Sequence, residues 1–126
     1  MIEGSCTVKA YRTFDPQALL DKFGGDGDFV RSLLGVTLRS SAALPTELRT
    51  ACAAADFATL ARLAHKVKGT AGDIVATELQ ARAREAELAA RALEPEAIAL
   101  SLGLADTVEE FLAEVRNAAS GPRAAT

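Results

Sequence analysis

Three observations predict an all-α fold, an antiparallel up-down bundle of four helices with a short extra helix at its N-terminal end. Four stretches carry apolar residues three and four positions apart, the period of one helix face. No stretch shows the strict alternation of a half-buried strand. Aromatic residues make up only 5% of the chain, tryptophan is absent and alanine is abundant, which favours closely approaching helices over a sheet. At 126 residues the chain has the length of one domain with one core. Residues 1–13 and 120–126 read as flexible ends around a bundle spanning residues 14–119.

The elements follow in order. Phe14-Asp15-Pro16 opens the short helix, with Asp15 as cap and Pro16 preorganised for the first turn, and Gly24-Gly25 ends it. Asp26 or Asp28 starts a second helix carrying Val30, Leu33, Leu34, Leu44 and Leu48 to about Ala55, with a kink or break expected at Pro45. Asp56 caps a third helix, Phe57 to about Gly72. The next runs from Thr77 to Leu93, with Leu79, Ala83, Ala86, Ala90 and Leu93 on one seam, and Glu94-Pro95 breaks it. The last, about Glu96 to Ala119, directs Ile98, Leu102, Ala105, Val108, Leu112 and Val115 inward.

Composition narrows the functional classes. No uninterrupted apolar run approaches the roughly 20 residues of a membrane span, and MIEGSCTVKAYRTF lacks the apolar stretch of a secretory signal. Cys6 and Cys52 are too few for a disulfide framework, and Cys52 reads as a small buried hydrophobe. A cytoplasmic monomer is the expectation. The net charge of −3 and a pI near 5.2 argue against nucleic acid as a partner. One histidine and two distant cysteines cannot build a multi-histidine metal site within one chain.

That single histidine, His65, carries the most information. Phe57, Leu60, Ala64, Val67, Ala71 and Ile74 define the buried seam of its helix, and at 100° per residue His65 falls roughly 130° from the centre of that seam. It therefore faces outward. Ala58, Ala61, Gly69 and Gly72 share its sector, and Lys68 lies three residues on. Two glycines inside a helix cost about 1 kcal/mol each relative to alanine. An exposed face usually carries Lys, Glu or Gln instead, so the bare backbone implies that another molecule approaches there. A C-cap would explain Gly72 but not Gly69. Between Asp56 and Asp73 the only charged residues are Arg62, Lys66 and Lys68, a basic helix in an acidic protein. On charge alone, that stretch reads first as a solvated face.

His65, Lys68 and Gly69, in HKVKG followed by small residues and an aliphatic, resemble the HxxKG motif of histidine phosphotransfer (HPt) domains. The resemblance runs from Phe14 to about Asn117, through FDPQALLDKFGGDGDFV, ARLAHKVKGTAGDI and ELQARAREAELAAR. Two positions depart from the family pattern: Val75 stands where glycine is frequent, and Lys66 where a small hydroxyl residue is common. Both bear on partner preference more than on activity.

The resemblance implies that His65 accepts a phosphoryl group from the aspartate of a response-regulator receiver domain and passes it on. A hybrid histidine kinase is a further implied partner. Lys68 would offer its ammonium to the phosphoryl oxygens, and Gly69 would leave room for the incoming group. HPt domains commonly carry Glu or Gln twenty-two residues after the histidine, where this chain has Glu87, about 80° off its own seam. Its carboxylate would orient the imidazole through Nδ1 and leave Nε2 to attack. Arg62, Lys66, Ala61 and Gly72 are the expected partner-facing residues. No acidic cluster suited to Mg²⁺ lies beside His65 in the sequence, and Gly24–Gly27 is not followed by the Lys-Ser/Thr of a phosphate-binding loop. The chain is thus expected to have no cofactor of its own, to be no self-sufficient enzyme, and to rely on Mg²⁺ held by the receiver. Two alternatives remain: the phosphoacceptor domain of a chemotaxis-type histidine kinase, and a non-catalytic helical adaptor.

Overall fold

The computed structural model describes residues 11–120, and among these every regular element is a helix. The helices are α1 (Pro16–Lys22), α2 (Gly27–Ser41), α3 (Leu44–Ala53), α4 (Phe57–Asp73), α5 (Thr77–Arg91) and α6 (Glu96–Ser120). The all-helical fold read from periodicity is therefore present. Of the ends expected to be flexible, residues 1–10 and 121–126, Cys6 included, lie outside the described residues.

Local chemistry sets the boundaries. Asp15 accepts from the backbone N–H groups of Gln17 (2.9 Å) and Ala18 (3.3 Å), and Pro16 fills the first turn of α1. Gly24 and Gly25, at φ +68° and +81°, turn the chain left-handed after it. Asp26 caps α2 through Phe29 N–H, and Asp56 caps α4 through the N–H and hydroxyl of Thr59. The single helix expected from Asp26 to Ala55 is two. It breaks at Ala42-Ala43, and Pro45 then occupies the first turn of α3, where its missing N–H leaves no hydrogen bond unmade.

The three turns that join α3 to α6 share one geometry. Asp56 N–H reaches Ala51 C=O, Ala76 N–H reaches Ala71 C=O, and Glu94 N–H reaches Ala89 C=O. One residue earlier, Ala55, Val75 and Leu93 adopt φ of +51°, +62° and +58°. Each is a Schellman closure of the preceding helix, built without glycine. Leu93 thus lies past the end of α5 and is 68% exposed, so it does not belong to the apolar seam on which it was expected.

The core is one cluster of leucines, alanines and valines from all six helices, with Phe14 and Phe111 edge to face at 5.8 Å. In α6 the buried set is Ala97, Ser101, Leu104, Ala105, Val108, Phe111, Leu112 and Val115. Leu102, expected inside, is 42% exposed because the true seam passes through Ser101. α4 packs chiefly on α5, and α3 on α6. Within each pair the contacts ascend one helix and descend the other. His65 meets Glu87 while Gly72 faces Gln80, and Cys52 meets Ile98 while Arg49 meets Asp106 and Glu109. Both pairs are antiparallel. Ahead of α1, the N–H groups of Arg12 and Thr13 are held by Glu114, and Tyr11 stacks edge to face on Phe14. Among the described residues, no helix is long and apolar enough to cross a membrane.

Candidate functional site

Close packing of α4 on α5 brings together four charged or titratable side chains. His65 projects from α4 with 63% of its side chain exposed, as its angle from the seam requires. Across the helix pair, the Glu87 side chain is only 6% exposed. Its carboxylate is met by three side chains. His65 Nδ1 lies 3.0 Å from Oε2, and Lys68 Nζ lies 2.8 Å from Oε1. Arg91, one turn further along α5, donates from Nε (3.0 Å) and Nη2 (2.7 Å), both to Oε2.

Burial pushes the Glu87 carboxyl up, but the hydrogen bonds from Lys68, Arg91 and His65 outweigh it and bring the group down to about 2. Glu87 is thus ionised at neutral pH and can only accept. The proton between the two groups must then sit on Nδ1, which leaves the lone pair on Nε2 at the exposed edge of the ring. A buried carboxylate paired with three donors thus holds a surface histidine in one orientation through Nδ1.

The remaining candidates divide. At Gly69 a β-carbon would meet nothing within 4 Å, so no contact inside the protein requires glycine there. Gly72 is different: a β-carbon would come within 2.7 Å of Gln80 Nε2, so this glycine makes room for an α5 side chain. Nor is Gly72 the cap, since α4 continues to Asp73 and closes through Ile74 and Val75. Ala61 is only 6% exposed and packs toward α5, so it offers little of the open surface its angle implied. Ala58 stays exposed and, with Phe57, Ala61, Ala90, Arg91 and Leu93, lines a shallow apolar groove between α4 and α5. Lys66 is exposed beside His65, whereas Arg62, also exposed, lines a groove on the α3 side with Asp56 and Thr59.

Two features escaped sequence reasoning. Glu87 falls on the flank of its seam by helical angle but is buried, because its neighbours on that face, Ala83, Ala86 and Ala90, are small and let α4 come close. Arg91 was not singled out, although its four-residue spacing from Glu87 is the ordinary signature of a helical ion pair. Among the described residues, no three His, Cys, Asp or Glu side chains converge as metal ligands.

A family model described as the Hpt domain matches residues 32–118, a span from within α2 to near the end of α6 that contains all four members of the cluster. No curated protein and no solved structure matches the chain.

Proposed function

The chain belongs to the Hpt domain family, whose members are phosphocarriers of two-component systems rather than catalysts, and from that premise we propose that His65 is its phosphoryl-accepting residue. The observation that carries this reading is the Glu87 bond to Nδ1, which leaves Nε2 unprotonated and facing solvent. In the proposed reaction Nε2 attacks the phosphorus of an aspartyl phosphate on a receiver domain. The N–P bond forms, the P–O bond to the aspartyl group breaks, and the aspartate leaves as a carboxylate with the electron pair. Nδ1 keeps its proton, so the ring becomes cationic next to the Glu87 carboxylate, which stabilises it.

Lys68 is the cation placed to meet the phosphoryl oxygens, and Gly69 leaves the approach open. The receiver supplies Mg²⁺ and the phosphorylated aspartate, so each protein contributes half of the reacting site. In this reading α2 with α3, α4, α5 and α6 form the legs of an antiparallel up-down four-helix bundle. The receiver docks on the exposed face of α4 around Lys66 and on the apolar groove toward Leu93. A second receiver, or the receiver of a hybrid histidine kinase, completes the relay in the cytoplasm, and the carrier works as a monomer.

The test is phosphotransfer from phosphorylated receivers to the wild-type chain and to His65→Gln. The wild type is expected to acquire an acid-labile, base-stable phosphoryl group, and the variant to acquire none. Phosphorylation that persists in the variant would refute the assignment. The substitution should change stability by no more than about 0.5 kcal/mol, because the ring is largely exposed and Glu87 retains Lys68 and Arg91.

A further inference from the structure

The two oxygens of Glu87 are not equivalent. Oε1 is held by Lys68 (2.8 Å), whereas Oε2 is shared by His65 Nδ1 and by two nitrogens of Arg91. Lys68 stands one helical turn from His65 on α4 and is the cation that the proposed transfer assigns to the phosphoryl group. To meet phosphoryl oxygens it must give up Oε1. A carboxylate that is 6% exposed cannot lose its counter-ion at no cost, since an unpaired charge away from water is strongly unfavourable. With Lys68 as sole partner, Glu87 would hold the lysine back, or would take up a proton and release the imidazole.

Arg91 removes this conflict. It sits on α5 itself, four residues from Glu87, and its two donors to Oε2 do not depend on α4 or on Lys68. We propose that Arg91 is a positioning residue that keeps Glu87 charged and aimed at Nδ1 while Lys68 moves from Oε1 to the phosphoryl group. The proposal rests on the phosphotransfer reading of His65. It assigns the two cations different tasks: Lys68 meets the transferred group, and Arg91 acts only through Glu87. Arginine suits the second task, because its fork offers Nε and Nη2 to one acceptor from a fixed plane.

The distinction is testable with the full chain and a small phosphodonor, phosphoramidate, which needs no receiver. Initial rates of His65 phosphorylation are compared for wild type, Arg91→Ala, Arg91→Lys, Glu87→Gln and the double variant Glu87→Gln/Arg91→Ala. Nitrogen-resolved NMR of the imidazole reports its tautomer in each. Arg91→Ala is expected to slow phosphorylation about tenfold and to admit the Nε2-protonated tautomer, and Arg91→Lys to recover part of both. A carboxamide needs no counter-ion, so with Gln at position 87 the loss of Arg91 should change the rate by less than about twofold. Equal slowing in both backgrounds would show that Arg91 acts on the phosphoryl group directly and would overturn the proposal. So would an unchanged rate and tautomer in Arg91→Ala. Failure of the wild-type chain to form phosphohistidine with either phosphoramidate or phosphorylated receivers would instead bring down the underlying reading, and the proposal with it.

Discussion

Gly69 separates what a residue does for its own fold from what it does for a partner. It lies in the interior of α4, where glycine costs about 1 kcal/mol relative to alanine, and a β-carbon there would touch nothing. Gly69→Ala is therefore expected to raise the melting temperature by about 4 °C for each kcal/mol gained, yet to slow transfer from a receiver. Calorimetry and transfer kinetics on the same preparation check both halves, and a variant that melts higher but transfers normally would remove any access role. Lys68→Ala should also slow transfer, and added salt should reproduce little of that loss in the wild type, since screening acts weakly on a contact at hydrogen-bonding range. The mutual placement of His65, Lys68 and Gly69 on α4 was legible in the sequence because one helical period fixes it. Arg91 was not, because its role depends on which face of α5 meets α4, and no pattern within α5 states that.

The turns show a different balance at the scale of the elements. Three successive helices end in the same left-handed closure, and none places glycine at the position that favours it. Val75 is the most strained of the three, because a β-branched residue at φ +62° crowds its own backbone. Glycine is also what the family pattern often has there, and the turn geometry supplies the reason. Val75→Gly is expected to stabilise the fold by about 0.5–1 kcal/mol, the relief of strain exceeding the loss of a half-buried side chain. An unchanged or lower urea midpoint would show that Val75 packs better than its backbone suggests. Helix starts were readable from Asp15, Asp26 and Asp56, which all act as caps. The break at Ala42-Ala43 was misplaced to Pro45, because proline punctuates a helix by opening the next one as readily as by kinking it. The exposure of Leu93 and Leu102 followed from seams drawn one position or one turn too far, an error that only the neighbouring helix corrects.

For the molecule as a whole, the carboxylates that join elements predict how the fold meets acid. Glu87 ties α4 to α5, Glu109 with Asp106 receives Arg49 between α3 and α6, and Asp56 caps α4. Glu109 is held below its ordinary value by the Arg49 hydrogen bonds, and Asp56 by the hydroxyl and N–H of Thr59. Glu87 falls from 4.5 to about 2, its donors prevailing over the burial that would raise it. In each case the folded chain binds protons less readily than the unfolded one. Their stabilising contribution is therefore complete above the unfolded value and is lost as pH falls; for Glu87 the loss runs from about 4.5 down to about 2. The urea midpoint is expected to hold steady from pH 7 to about 5 and then to drop steeply. Salt separates the contributors: 1 M NaCl should weaken the exposed Arg49 pairs while leaving the buried Glu87 cluster largely unscreened. Glu87→Gln removes the titrating group, so its acid limb should be shallower than that of the wild type in high salt. Parallel acid limbs for the two proteins would mean that the cluster serves the chemistry of His65 without holding α4 to α5.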